Sequence, residues 1–211
     1  PAFDLQAVCA GFVFALTTAQ QYIENGSFKK ILVVGSETMS KIVDWDDRST
    51  AILFADGAGA VVVSSDNTTG IKHSKLYSDG SFLSSLHVNN NGINELGTIE
   101  MSGNEVFKIA VNRLSDLAEE TLQDCNMTSN DITWMVPHQA NIRIIKAVAK
   151  RINLPMSKVI QTLDTHGNTS AASIPLALDI GVRDGRIKKG DTLLFEGIGG
   201  GFSWGSVLLE F

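Results

Sequence analysis

Ala2-Phe-Asp-Leu-Gln-Ala-Val-Cys-Ala-Gly-Phe12 is the stretch that organises the chain. Phe3 to Val8 predicts a buried strand. Gly11 to Glu24 predicts a helix with Phe12, Leu16, Ala19 and Ile23 on one face. Cys9 falls at the join, over the first turn of the helix. Free N–H groups and the positive dipole end favour an anion there, so the position is expected to lower the thiol pKa and make a nucleophile. Ala10 and Gly11 leave room beside the sulfur. A buried structural cysteine fits the same residue, so the chemical reading needs partners elsewhere.

Outward from this stretch, the chain rhymes with itself. Cys9, a helix, Asn25-Gly26, Lys29-Lys30, the strand Ile31 to Gly35 and the strand Ala60 to Ser64 make one set. Asn168, a helix, Asp184-Gly185, Lys188-Lys189, Leu193 to Gly197 and Trp204 to Phe211 make the other. Such a repeat predicts two duplicated halves with pseudo-two-fold symmetry: residues 1–66 hold the nucleophile and 67–211 hold the matching half with extra material from about Ile71 to Gln161. In this frame Asn168 takes the place that Cys9 takes in the first half. The first half is incomplete, which predicts sequence upstream of Pro1. Between the halves, Ser102-Gly-Asn-Glu105 has capping-box spacing before a helix ending near Asn126. A strand from Ile132 to Val136 leads to His138 and a second helix. Asp56 to Gly59, Asp66 to Gly70 and Asn89 to Gly92 read as turns or loops, Ile71 to Leu86 is weakly patterned, and Val159-Ile160 suggests a short strand.

The 211 residues are 44% hydrophobic, enough for a large core. A net charge of −6 argues against a general nucleic-acid surface. No apolar run is long enough to span a membrane, and no basic-then-apolar signal opens the chain. Two cysteines, Cys9 and Cys125, without CxxC spacing argue against a disulfide scaffold or a metal site. A cytoplasmic protein is expected. Cys125 reads as a packing residue; His73, His87 and His166 share no metal-like spacing.

His138 follows a strand and opens a helix, and strand-end turns are where α/β sheets present ligand sites. If the halves pack symmetrically, Cys9, His138 and Asn168 meet. A thiolate attacks an acyl carbonyl, while an imidazole Nε2 and a carboxamide donate hydrogen bonds to a developing enolate or alkoxide. The backbone N–H of Cys9 and one from Gly199 to Gly201, with Gly200 the choice, would form an oxyanion hole. Singly, His138 also suits a structural histidine and Asn168 a helix cap.

Asp4-Leu-Gln-Ala-Val-Cys9-Ala-Gly-Phe12, Val136-Pro-His138-Gln-Ala-Asn141, His166-Gly-Asn168-Thr-Ser-Ala-Ala-Ser173 and Gly199-Gly-Gly-Phe-Ser-Trp-Gly205 resemble the motifs of β-ketoacyl-acyl-carrier-protein synthase III. The resemblance implies an α/β thiolase-like fold: two duplicated halves, mixed sheets of the five-stranded type and helices in layers, the N-terminal part being absent here. It implies that Cys9 takes a short acyl group, acetyl being the expected one, from coenzyme A. Malonyl-acyl-carrier protein then enters, and His138 and Asn168 stabilise the enolate formed as carbon dioxide leaves. The carbanion attacks the acyl-Cys9 thioester, the step that initiates fatty acid synthesis. His138 is expected to be neutral and donating at Nε2.

The resemblance also implies that Arg48, Gly103, Phe107, Ala140 and Asn141 line a coenzyme A tunnel, although Arg48 equally suits a solvated surface. An aromatic gate residue is familiar where Ile198 stands. It implies a homodimer, with Ile31 to Val34 a candidate for pairing across the interface, and no permanently bound cofactor. Independently, Arg143, Lys146 and Lys150 fall on one helix face away from Ile142, Ile145 and Ile152. In an acidic protein this basic stripe, extended by Lys108, suits an acidic partner such as acyl-carrier protein; a solvated helix face is the plainer reading. Rival functions are another thiolase-fold acyltransferase, a condensing enzyme of specialised metabolism, a Cys-His-Asn hydrolase, and a non-catalytic subunit.

Overall fold

The structure, a computed structural model, describes residues 1–66, 69–89 and 96–211. The turn expected at Asp66 to Gly70 and the asparagine loop fall partly outside those residues. In chain order the elements are α1 (Gly11–Glu24), β1 (Lys30–Glu37), α2 (Arg48–Ala51), β2 (Gly57–Ser64), β3 (Gly70–Ser78), β4 (Leu86–Val88) and β5 (Ile99–Met101). Then follow α3 (Gly103–Asp124), β6 (Trp134–Pro137), α4 (Ile142–Arg151), α5 (Leu163–His166), α6 (Ser173–Arg183), β7 (Thr192–Gly199) and β8 (Ser203–Glu210).

Among the described residues, β1 and β2 form an antiparallel pair, and β3-β8-β7-β6 form a four-stranded sheet. That sheet is mixed: β6 runs parallel to β7, and the other pairs are antiparallel. Between the two sheets lie α1 and α6. Phe12, Val13 and Leu16 of α1 and Ile174 and Ala177 of α6 pack with Val33 on one side and with Leu193, Phe195 and Val207 on the other. On the opposite face of the larger sheet, Leu114 and Leu117 of α3 and Ile145 and Val148 of α4 cover Leu194 and Leu208. The alternation along β7 sends Leu193 and Phe195 one way and Leu194 the other, so one strand serves both cores. Phe12 is 1% exposed; cutting it to Ala would cost about 3–5 kcal/mol.

Local chemistry sets the helix starts. Asn141 caps α4, its side chain accepting from Arg143 N at 2.8 Å. Pro175 sits in the first turn of α6, where its missing N–H costs no helical bond. The segment before Cys9 departs from expectation. Phe3 to Val8 is not a strand, and Phe3 is 66% exposed, because no described strand pairs with it. Asp56 to Gly59 is not a turn; Gly57 already belongs to β2, whose small residues let α6 approach. The weakly patterned stretch from Ile71 lies largely in a strand, β3, whose pairing with β8 shifts register between Ile71 and His73. Val159 makes only a single bridge to Met135, and Ser102 starts α3 without a side-chain cap bond.

Candidate active site

Cys9 sits in a short 3-10 turn, Val8–Ala10, that runs straight into α1. Val8 is left-handed, at φ 49°, a costly conformation for a β-branched residue. The turn tips the thiol inward, and Cys9 is 4% exposed. Burial pushes the thiol up to about 11; a hydrogen bond from the Ser170 side chain opposes this, the nearby Glu37 charge adds to it, and the thiol's own N–H opposes it. The sequence position predicted a lowered thiol pKa. Desolvation outweighs the helix start, so the resting sulfur is a thiol.

His138 follows β6, and its N–H donates to Glu196 O at 2.7 Å. Its ring is buried, and burial lowers its pKa to about 4 against weak support from the Ser170 backbone. The imidazole is therefore neutral at neutral pH. Nδ1 lies 2.6 Å from Ser173 Oγ, and Nε2 makes no hydrogen bond of good geometry to a described residue.

Asn168 is pinned by its backbone to the loop after α2. Its N–H donates to Leu53 O at 2.9 Å, and its carbonyl accepts from Ala55 N at 2.8 Å. The side-chain Oδ1 accepts from Ser170 N at 2.9 Å. That bond orients the amide: the acceptor end is occupied, and the NH₂ end has no hydrogen bond to any described residue.

These three side chains line one cavity of about 420 Å³, in the size range of small-molecule sites. Gly103, Phe107, Ala140 and Asn141 line it too. Arg48 does not; its neighbour Ser49 does. Arg143 is on the wall, with its guanidinium 5.3 Å from the Phe107 ring centre, a cation–π contact. Lys108, Lys146 and Lys150 are exposed and lie off the wall. Ile198 and Phe202 contribute apolar wall. Among the described residues, no cluster of His, Cys, Asp and Glu is arranged to hold a metal ion.

The nucleophile turn has a structural twin, and it is not centred on Asn168. A second 3-10 turn, Ser170–Ala172, runs into α6, and Ser170 is also at φ 49°. A Cβ on Gly197 would lie 3.2 Å from Cys9 O and 3.3 Å from Ala10 Cα. A Cβ on Gly35 would lie 2.7 Å from Ala171 O and 3.1 Å from Ala172 Cα. Cys9 therefore corresponds to Ala171, and Asn168 precedes its turn. Sequence matching missed this because the left-handed residues that set the register, Val8 and Ser170, share no side-chain chemistry.

Two residues after those glycines stand Glu37 and Gly199. Glu37 Oε1 accepts from Ala171 N at 3.2 Å. Gly199 has nothing to offer: a Cβ there would lie 2.6 Å from Cys9 N, and Cys9 N–H has no hydrogen-bond partner among the described residues. Gly200 adjoins this contact in sequence but is off the cavity wall. Ser170, Ser173 and Glu37 were not singled out as site residues by sequence. Serines inside the apolar run of α6 were the available signal for Ser173; nothing local marks Glu37.

Known proteins carry the same architecture. A family model described as 3-oxoacyl-[acyl-carrier-protein (ACP)] synthase III matches residues 3–80, and its C-terminal counterpart matches 122–211. Beta-ketoacyl-[acyl-carrier-protein] synthase III of Vesicomyosocius okutanii is 73% identical over 211 residues, covering 100% of this chain and 67% of that protein. The Neisseria meningitidis protein of the same name is 55% identical over 215 residues, with the same coverage. The crystal structure of 3-oxoacyl-[acyl-carrier-protein] synthase III from Aquifex aeolicus superimposes with a TM-score of 0.96 at 44% identity, covering 100% of this chain and 67% of that one. The chain belongs to the 3-oxoacyl-[acyl-carrier-protein] synthase III family of thiolase-like condensing enzymes.

Proposed function

We propose that the cavity performs the family's decarboxylative condensation, with Cys9 as acyl carrier and His138 and Asn168 as the two donors to the enolate. Cys9 sulfur displaces coenzyme A from a short acyl-CoA, acetyl being the expected donor. The thiol proton leaves sulfur and ends on the departing coenzyme A sulfur. Malonyl-acyl-carrier protein then loses carbon dioxide, and the electron pair of the broken carbon–carbon bond forms an enolate. Its oxygen takes hydrogen bonds from His138 Nε2 and Asn168 Nδ2. The carbanion attacks the Cys9 thioester, the oxyanion is met by Cys9 N–H, and Cys9 leaves as a thiolate that takes a proton from solvent to restore the resting thiol. Decarboxylation supplies the carbanion, so the site needs donors more than a base.

The observation that carries this reading is that one end of each polar side chain is already engaged: Nδ1 of His138 lies 2.6 Å from Ser173 Oγ, and Oδ1 of Asn168 accepts from Ser170 N at 2.9 Å. Nε2 of His138 and Nδ2 of Asn168 are left for the enolate oxygen. A Cys-His-Asn hydrolase would instead need a free imidazole lone pair.

Coenzyme A is assigned to the mouth formed by Gly103, Phe107, Ala140 and Asn141, with Arg48 nearby, and acyl-carrier protein to the basic face of Arg143, Lys146 and Lys150 with Lys108. Residues 1–66 and 67–211 are assigned to two duplicated halves, a division supported by the twin turns. A homodimeric, cytoplasmic enzyme completes the proposal; no helix among the described residues is long and apolar enough to cross a membrane. The test is product analysis with acetyl-CoA and malonyl-acyl-carrier protein. Acetoacetyl-carrier protein formed only when both are present supports the reading; free acetate released without condensation overturns it.

A further inference from the structure

Ser173, the first residue of α6, is 1% exposed. Its Oγ stands 2.6 Å from His138 Nδ1 and accepts from Gln139 N at 3.1 Å. The Gln139 backbone is held by its own buried side chain, which donates to Pro137 O at 2.8 Å and to Ile160 O at 3.2 Å and accepts from Thr162 N at 3.0 Å. That amide is anchored at both ends, so the N–H aimed at Ser173 is a fixed donor.

A hydroxyl has one hydrogen to give and two lone pairs to receive. Gln139 takes one lone pair. Two arrangements remain for the contact with the ring. In the first, Ser173 donates to Nδ1; the hydroxyl hydrogen is used, and the ring proton sits on Nε2. In the second, Nδ1–H donates to Ser173, which then accepts twice and has a hydrogen with no acceptor. No other side chain or carbonyl among the described residues accepts a hydrogen bond from this hydroxyl. A buried unmet donor is the penalised choice, so the first arrangement prevails.

We propose that Ser173 is a positioning residue that fixes His138 in the Nε2–H tautomer, so that the ring gives a hydrogen bond into the cavity and has no lone pair free to act as a base. The tautomer stands on the hydrogen-bond accounting alone; its catalytic consequence rests on the reading of His138 as an enolate donor.

The experiment is nitrogen-15 NMR of the histidine-labelled full chain at neutral pH, paired with separate assays of Cys9 acylation and malonyl-carrier decarboxylation. The wild type is expected to show His138 protonated at Nε2. Ser173→Ala should lose that single tautomer and slow decarboxylation by about tenfold or more, with KM and Cys9 acylation little changed. Ser173→Thr, which keeps the hydroxyl, should restore both signals. A wild-type spectrum with the proton on Nδ1 overturns the proposal even if the variants fail to fold, as does Ser173→Ala with an unaltered tautomer. A changed tautomer with unaltered decarboxylation would leave Ser173 as the ring's anchor and remove His138 from its assigned role, so the two failures are distinguishable.

Discussion

The turn that holds Cys9 and the turn that holds Ala171 have the same backbone plan, a 3-10 turn opened by a left-handed residue at φ 49° and followed by a long helix, but among the described residues only the first leaves its N–H unclaimed. In the second, Glu37 reaches across from β1 and takes the Ala171 N–H. In the first, Gly199 stands at that register on β7 and has no side chain to do so. One half of the fold has its donor quenched by a carboxylate, and the other has it bared by a glycine. The difference lies in neighbouring strands rather than in the turns themselves.

The largest expected effect comes from giving the first turn what the second has. Gly199→Ala places a Cβ 2.6 Å from Cys9 N, so the turn must shift. Acylation of Cys9 should fall on the order of 100-fold, the scale of losing one oxyanion donor. Glu37→Ala, the matching change in the other half, should leave acylation within a small factor. Equal losses, measured by rapid-quench mass spectrometry, would erase the distinction between the turns.

A smaller effect concerns the thiol. Because burial pushes Cys9 up to about 11, the thiolate is a minority form through the neutral range. Its alkylation by iodoacetamide should rise about tenfold per pH unit from 7 to 10. Glu37→Gln should move that profile to lower pH and Ser170→Ala to higher, since the first raises the thiol pKa and the second lowers it. A plateau below pH 8 would show that the helix start prevails over desolvation.

The smallest effect is on stability. Glu196 lies in the same strand as Gly199, wholly buried, with neither carboxyl oxygen bonded to a described residue. Burial raises its pKa well above the ordinary carboxylate range. The native state thus keeps a proton that the unfolded chain releases above its ordinary pKa, so stability falls as pH rises through that window. Glu196→Gln removes the linkage, and its Tm advantage over wild type should grow from pH 5 to pH 8. An advantage that shrinks with pH would mean Glu196 is ionised in the fold.

Much of the site is legible in the sequence because its chemistry is local. The apolar spacing of Phe12, Leu16, Ala19 and Ile23 marks α1, and Cys9, His138 and Asn168 each sit where a loop or strand meets a helix. What escapes is set by strands far apart in the chain. Whether Cys9 N–H is free depends on the residue at position 199, and whether Ala171 N–H is free depends on Glu37. Neither pairing has a local signature. Phe3 to Val8 reads as a buried strand, but local sequence says nothing about whether a partner strand is at hand, and no described strand pairs with it. Desolvation of Cys9 is equally invisible, since Gly197 and Ser170, which lie against its turn, are far away in the chain.

The central claim is that two donors act on the incoming carbanion and not on acyl loading. The direct measurement is to follow both half-reactions in His138→Ala and Asn168→Ala of the full chain, reading acyl-Cys9 by intact mass and carbon dioxide release from malonyl-carrier protein. Decarboxylation should fall by on the order of 100-fold or more in each variant, while acylation stays near wild type. Decarboxylation that survives both substitutions, or acylation that falls as far as decarboxylation does, would contradict it.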